Sequence, residues 1–227
     1  SVPLAPWETR SVVQLGLALF PEWSNAFGAS EGGFPADSLE LGLAHRLDEG
    51  TSGVILCAKR PSVLAEFREM FRDGRISKKY VAITKTKLQS GSGMEFSIPG
   101  FIREPIVALA KSSKRVTLAK SIPENQWRGR PLDAITEVLS CSEIAAEFGR
   151  ATPPTAKYKY EVKIHTGVRH QIRVHFASHG APLVGDPIYG GPAIGGLKPA
   201  ALPRLSLYAV ELSFLWKGQS ILVSCEG

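Results

Sequence analysis

Residues 45–53 read His-Arg-Leu-Asp-Glu-Gly-Thr-Ser-Gly, and an apolar run, Val-Ile-Leu-Cys-Ala at residues 54–58, follows at once. The stretch places one carboxylate, Asp48, between a cation and a turn that contains glycine. We predict that residues 54–58 form a buried strand. Such a strand would present the preceding polar turn at the edge of a sheet, where catalytic groups commonly lie. In the alternative interpretation, Asp48 only caps backbone N–H groups of an Asx-type turn.

This stretch resembles the signature H-R-L-D-x-x-T-S-G of the RluA-like RNA pseudouridine synthases, and every fixed position of that signature is matched. The resemblance implies isomerisation of uridine to pseudouridine in ribosomal or transfer RNA, with Asp48 as the indispensable catalytic residue. It implies that Asp48 attacks either C1′ of the ribose or the uracil ring, and that C5 of the rotated base then bonds to C1′. It also implies that no cofactor or metal is needed, because the product is an isomer of the substrate.

A second motif lies at residues 166–175, TGVRHQIRVH, and continues at residues 180–190, GAPLVGDPIYG. It resembles the family patterns T-G-R-x-H-Q-I-R-x-H and G-x-P-I-x-G-D-x-x-Y-G, with Val168 where the family commonly has arginine. We predict a helix over residues 170–179 that carries Arg173 to Asp48. A cation beside a catalytic carboxylate keeps it ionised and fixes its orientation. The alternative is an ordinary surface arginine.

A third resemblance concerns Tyr80, in the short string Lys-Lys-Tyr at residues 78–80. The family carries a tyrosine on the corresponding strand, which implies that Tyr80 stacks on the target uracil and takes part in proton removal. The alternative is a core tyrosine whose hydroxyl is satisfied within the protein, which is common for an aromatic residue on a strand.

The remaining candidate residues are assigned to the RNA. The resemblance implies that Arg46 helps to occupy the gap left by a flipped nucleotide, whose extrusion costs on the order of a few kcal/mol. Leu205 matches an R-L-x-L-x-A string of the family near the uracil pocket. We assign three further side chains to RNA or uridine binding: Lys78, Arg169 and His170.

Hydrophobic periodicity predicts an α+β fold with a large mixed, mostly antiparallel sheet and a few flanking helices. Residues 10–20, 61–74 and 170–179 are expected to be helical. Strands are expected over residues 78–84, 115–119, 134–140, 157–164, 205–216 and 219–225, and a long loop over residues 185–203. We expect one catalytic domain over residues 1–227, and the resemblance implies a central RNA-binding cleft in its sheet. The upstream strand with a Lys-Pro-x-Gly turn and the N-terminal RNA-binding domain of many family members are missing, so we expect a truncated sequence or one that leaves those residues uncovered.

Composition agrees with an RNA partner. The formal net charge of +6 suits a polyanionic ligand. Cys57, Cys141 and Cys225 are odd in number and far apart, which argues against a disulfide framework or a thiolate metal site and favours a reducing compartment. No apolar run approaches the ~18 residues of a membrane span. We therefore expect a cytoplasmic monomer that binds RNA without a membrane or a small-molecule cofactor.

Competing interpretations of the motifs fail on spacing. The histidines at 165, 170, 175 and 179 lack the spacing and partners of a zinc site. A catalytically silent RNA-binding module of the same fold is the second hypothesis, and the presence of both Asp48 and Arg173 argues against it. A nucleoside or glycoside hydrolase is the third. It would need a second carboxylate across the scissile bond, and the side chains of Asp48 and Glu49 diverge because they are adjacent.

Overall fold

The computed structural model describes residues 12–22, 42–112, 115–144, 158–190 and 204–226. The chain divides into two compact units. The first consists of Ser1–Glu49, Val54–Ile76 and Phe214–Ile221, and the second of Gly50–Gly53, Ser77–Ser213 and Leu222–Gly227. The expectation of one catalytic domain with a central cleft stays a prediction. In the part of the chain that is described, no helix is long and apolar enough to cross a membrane.

Within the described residues of the first unit, helix α1 covers Val12–Leu19 and helix α2 covers Pro61–Arg72. Helix α2 starts with proline in its first turn and is followed by Gly74 at a φ of +69°, as the sequence predicts. Its buried Phe67 packs edge-on against Phe214, with ring centroids 5.8 Å apart. Both helices are confirmed within a few residues at their ends.

The apolar run at residues 54–58 is not a regular buried strand, so this prediction was wrong. Only Ser52–Gly53 forms a strand, β1, and the run that follows pairs irregularly with residues 42–44. The amide of Leu56 donates to the imidazole Nε2 of His45 at 2.9 Å. Because a side chain takes a bond that a ladder would give to a backbone carbonyl, regular pairing breaks at this point.

Most of a seven-stranded sheet belongs to the second unit, and only residues 214–216 and 219–221 of its last two strands fall in the first. The strand order is β1-β9-β2-β8-β7-β3, with β10 paired to β9. The strands after β1 are β2 Ser77–Thr84, β3 Gly100–Arg103, β7 Ile135–Glu143, β8 Tyr158–Ile164, β9 Leu207–Trp216 and β10 Gln219–Ser224. Strand β1 is parallel to β9, whereas the pairs β2–β8, β2–β9, β3–β7 and β7–β8 are antiparallel. The α+β class with a mixed, mostly antiparallel sheet is confirmed.

A separate three-stranded sheet has the order β5-β4-β6. It comprises β4 Ile106–Leu109, β5 Val116–Leu118 and β6 Trp127–Leu132, with 3-10 turns at Ala119–Ser121 and Glu124–Gln126. Sequence periodicity predicted β5 but missed β3, β4 and β6. Strand β3 begins with glycine, β4 is apolar throughout and therefore does not alternate, and β6 contains both glycine and proline. Most of the loop predicted over residues 185–203 lies outside the described residues.

Helix α3 spans Gln171–Ser178, and its first six residues are all buried although half of them are polar. The side-chain Nε2 of Gln171 donates to Oγ1 of Thr136 at 3.0 Å. The same Oγ1 lies 2.9 Å from Nδ1 of His175. Nε2 of His175 lies 3.0 Å from the carbonyl oxygen of Glu104, which can only accept. His175 is therefore the neutral Nε2–H tautomer, and Thr136 donates to its Nδ1. This chain of bonds fixes the helix against β7.

The buried imidazole of His175 makes stability depend on pH. Burial lowers its pKa from 6.5 to about 4, against a smaller opposing effect of the bond to Glu104. Between these values the unfolded chain binds more protons than the folded one, so stability is complete above pH 6.5 and falls as the pH decreases. We expect His175 to contribute a loss of about 3 kcal/mol across this window.

Urea unfolding of the parent and of His175→Gln at pH 7, 6, 5 and 4.5 measures this contribution. The variant should be less stable at pH 7 and should lose less stability on acidification than the parent. Leu212→Ala, which truncates a buried side chain on β9 without removing a titratable group, is the control and should keep the parental slope. Equal slopes for the parent and His175→Gln would contradict the prediction.

Strand β1 lies unusually close to β9 at Gly53. This glycine has a φ of +121°, and a Cβ there would collide with the carbonyl oxygen of Ala209 and lie 2.7 Å from its nitrogen. Gly53→Ala should destabilise the fold by on the order of 3 kcal/mol, through strain and displacement of β9. Gly74→Ala is the control, because its φ is also positive but no atom lies within 4 Å of the new Cβ. Thermal or urea unfolding should rank Gly53→Ala as clearly the more damaging change.

Candidate active site

The start of the 45–53 stretch is held by His45. Its Nε2 accepts the Leu56 amide, so the neutral ring carries its proton on Nδ1, and the ring lies 4.6 Å from that of Phe71. Arg46 is exposed and Asp48 is half-buried, immediately before the turn at Glu49. The stretch therefore presents a cation and a carboxylate after a histidine that serves the backbone.

The end of the same stretch contacts a predicted pocket residue. Gly50 has a φ of +86°, and a Cβ there would lie 3.2 Å from the Cβ of Leu205. Leu205 is buried, and two of the residues that follow it, Tyr208 and Ala209, pair in parallel with Ser52–Gly53. The structure thus brings Leu205 against the turn that follows Asp48 in the sequence, and its role in a uracil pocket stays a prediction.

Tyr80 lies in the same row of the sheet as Gly53. Ala209 is the partner of Gly53 on one side and of Tyr80 on the other, and Tyr80 also pairs with Val162. Paired strands are about 4.8 Å apart, so the Cα atoms of Gly53 and Tyr80 are roughly 10 Å apart. Tyr80 is buried. Directly paired residues share a face, so Tyr80 is on the same face as Val162 and, two residues along β8, Tyr160. Helix α3 covers this face, because its Phe176 packs edge-on against Tyr160.

Lys78 and Lys79 differ in their surroundings. Lys78 shares the face of Tyr80 and lies beside the second motif, since a Cβ at Gly167 would be 3.7 Å from its Nζ. It is half-buried, and this burial lowers its pKa. Lys79 points the other way and forms an ion pair with Glu211 at 3.1 Å. Of the two lysines, Lys78 is therefore the one that shares a face with Tyr80.

Arg173 is buried in a two-bond ion pair, and its interpretation as a surface arginine is wrong. Its Nε and Nη2 donate to Oδ2 and Oδ1 of Asp186, each at 2.8 Å, and the two side chains are 2% and 0% exposed. Burial alone raises the pKa of Asp186, but the hydrogen bonds from Arg173 and from two backbone amides outweigh it and lower the pKa. The carboxylate is therefore ionised and the pair is formally neutral.

Asp186 was missed as a functional residue by sequence reasoning. The string GDPIYG that contains it was matched to the family pattern, but no role was assigned to its carboxylate. Its Oδ1 also accepts from the amides of Ile188 and Tyr189, at 2.8 and 3.0 Å. The signal that could have indicated this role is the Asx-type turn, in which an aspartate side chain accepts the backbone amides two and three residues later in the sequence.

His170 is fixed by Tyr189. The Tyr189 hydroxyl accepts from the amide of Val116, donates to the carbonyl oxygen of Val116, both at 3.1 Å, and lies 3.0 Å from Nδ1 of His170. Its one proton is used by the carbonyl, so Nδ1 of His170 must be the donor. His170 is buried and has a φ of +54°, a strained conformation that is found mostly at functional sites. The neighbouring Arg169 is exposed.

Val168, which stands where the family commonly has arginine, lies in apolar surroundings. Its half-buried side chain packs against a core cluster that joins α3 to the smaller sheet. The cluster consists of Ile106, Val116, Leu118, Ala134 and Val174. An apolar residue suits this position because a charged side chain would lose hydration there. Among the described residues, no three His, Cys, Asp or Glu side chains are grouped so as to hold a metal ion.

Comparison with known proteins agrees with these motifs. Residues 27–178 match the family model described as RNA pseudouridylate synthase. The ribosomal large subunit pseudouridine synthase D of Borreliella burgdorferi is 33% identical over 179 residues, which cover 79% of this chain and 47% of that protein. The tRNA pseudouridine synthase C of Vibrio vulnificus is 29% identical over 187 residues, covering 80% of this chain and 70% of the relative.

A solved structure has the same fold. Human RNA pseudouridylate synthase domain containing 1 superposes with a TM-score of 0.60 at 21% identity, covering 82% of this chain and 68% of that one. The chain spans about half the length of the synthase D relatives, 47% in B. burgdorferi and 48% in Zymomonas mobilis. The family model covers well over half of the sequence and includes both the 45–53 stretch and the segment that carries Arg173. The chain belongs to the RNA pseudouridylate synthase family.

Proposed function

We propose that this protein isomerises uridine to pseudouridine in ribosomal or transfer RNA. The observation that carries the proposal is the complete 45–53 signature within a sequence that matches the family model. In this reaction the bond between N1 of uracil and C1′ breaks, the base rotates, and C5 bonds to C1′. The hydrogen on C5 leaves as a proton and N1 gains one, so the product has the composition of the substrate.

Asp48 is the nucleophile in this proposal. It adds to C1′ or to the uracil ring and is regenerated when the new carbon–carbon bond is complete, so no water molecule has to be activated. Arg173 acts on the catalytic carboxylate, and Tyr80 stacks on the uracil and takes part in removal of the C5 proton. These roles are supported by the family motifs and, for Arg173, by a burial that an ordinary surface arginine would not have.

The RNA is bound through cations and a flipped base. Arg46 and Arg169 are exposed and can reach phosphates, whereas the half-buried Lys78 and the buried His170 suit contacts closer to the nucleotide. Leu205 contributes an apolar wall to the uracil pocket. We propose a cytoplasmic monomer that needs no small-molecule cofactor. Cys57, Cys141 and Cys225 are all free thiols, as a reducing compartment favours.

Replacement of the nucleophile tests the reaction. Asp48→Asn should abolish release of tritium from ribosomal or transfer RNA labelled at C5 of uridine, because an amide cannot attack and the C5 hydrogen stays bound. RNA affinity should change less than three-fold or so, because phosphate contacts dominate it.

Glu49→Gln is the matched control for this experiment, since it removes the neighbouring exposed carboxylate and should keep parental turnover. Substantial tritium release by Asp48→Asn would contradict the role of Asp48. A parent that binds RNA but releases no tritium from any labelled substrate would favour the silent binding module.

The salt dependence of binding tests the RNA partner and the surface that holds it. The logarithm of the affinity should fall with the logarithm of the salt concentration by ~0.7 to 0.9 per neutralised phosphate. Arg169→Gln should reduce this slope by about one such contact. Lys79→Gln should change it less, because Lys79 lies on the opposite face of β2 from Tyr80 and Lys78. Fluorescence anisotropy between 50 and 300 mM salt measures the slopes, and equal effects of the two variants would contradict this assignment.

A further inference from the structure

The carboxylate of Asp186 is oriented by backbone amides as well as by Arg173. Its Oδ1 accepts the amides of Ile188 and Tyr189, and the same oxygen together with Oδ2 receives Nη2 and Nε of the guanidinium. Four hydrogen bonds to one buried carboxylate leave it little freedom. A planar guanidinium held by two parallel bonds takes the plane of its partner, so the direction of its remaining N–H groups is determined as well.

The pair also changes what Arg173 can offer electrostatically. Arg173 carries one positive charge and Asp186 one negative charge, and both side chains are almost fully buried. To a third group nearby the two charges largely cancel, because they are in direct contact. The N–H bonds of the guanidinium remain directional donors whatever the net charge is. Direction, rather than charge, is therefore what this arrangement preserves.

We propose that Asp186 is a positioning residue for Arg173, and that Arg173 serves the reaction as a hydrogen-bond donor of fixed direction whose charge is already balanced. The inference rests on the proposed function, in which Arg173 acts on the catalytic carboxylate. Arg173 could serve the reaction in two ways, as a net positive charge or as a hydrogen-bond donor of fixed direction. If Arg173 acts through its positive charge, turnover should be highest when Asp186 does not cancel that charge. If Arg173 acts as a hydrogen-bond donor of fixed direction, turnover should fall when Asp186 is removed.

Asp186→Asn is the first variant to test this. Asparagine keeps the size of the side chain but removes the negative charge and replaces one acceptor with a donor. For a donor of fixed direction we expect kcat to fall about 10- to 100-fold, since misplacement by about 1 Å can have that effect, with KM within about three-fold. The acidic limb of the pH–rate profile should not move to lower pH. A net positive charge predicts parental or higher kcat and a limb shifted to lower pH, and that result would overturn the inference.

A double-mutant cycle tests whether Asp186 acts through Arg173. Asp186→Asn should reduce kcat strongly in the parent and by less than about two-fold in an Arg173→Ala background. Arg173→Lys should be within about three-fold of Arg173→Ala, because an ammonium keeps the charge but loses the planar two-bond geometry. Rescue by lysine, or additive losses in the cycle, would overturn the inference. The lysine comparison also decides the matter if Asp186→Asn does not fold.

Two further measurements separate positioning from general destabilisation and from failure of the proposed function. Val107→Ala, in the core of the smaller sheet, destabilises without touching the pair and should keep parental kcat below its unfolding temperature. The Nε–H of Arg173 should exchange slowly with solvent in the ¹⁵N NMR spectrum of the parent and rapidly in Asp186→Asn. Fast exchange in the parent would overturn the inference. A parent with a protected Nε–H but no tritium release would instead contradict the proposed function.

Discussion

The buried ion pair between Arg173 and Asp186 is the constraint on which the arrangement of the second unit depends. Each charge would be very unfavourable alone in the interior, and removal of one partner from such a pair typically costs about 3–5 kcal/mol. Because Asp186 also accepts two backbone amides, the pair connects α3 to the turn at residues 185–190. The helix and this turn must therefore be in place together.

The polar residues of α3 follow the same principle. A helical segment whose residues are all buried would normally be apolar, but here Gln171, Arg173 and His175 each find partners for their polar atoms. Gln171 donates to β7 and accepts the hydroxyl of Thr166, so it also fixes the turn that leads into the helix. A fully satisfied network in a low-dielectric interior is specific, since any other placement of α3 would leave several buried groups without partners.

The sheet supplies the other half of the framework. Gly53, Ala209 and Tyr80 occupy one row of three adjacent strands, and Leu205 packs on the turn at Gly50. Neither glycine could carry a side chain without strain or collision, because both have positive φ and close neighbours. Gly53 thus allows β9 to lie close to β1, and Gly50 leaves room for Leu205. In the proposed function, the chemistry of the stretch is assigned to Asp48 and contact with the RNA to Arg46.

How far sequence could predict this protein depends on the range of the interactions involved. Helices α2 and α3, the alternation of β8 and the last hairpin are local patterns, and each was predicted within a few residues. The run at residues 54–58 was mistaken for a regular strand, since its apolar composition does not reveal that His45 accepts the amide of Leu56. The short strands β3, β4 and β6 depend on partners elsewhere in the chain, so no local pattern indicated them.

The amino-acid sequence by itself determined the family, the fold class and the identities of Asp48, Tyr80, Arg173 and Leu205 as candidates, because these follow from motifs and periodicity along the chain. Only the tertiary structure decided that Arg173 is buried and balanced by Asp186, that Val168 joins a core cluster and that His170 is held by Tyr189. Those facts depend on which groups meet after folding. Burial and hydrogen bonding between residues separated in sequence, rather than residue type, determine the protonation state and direction of each side chain.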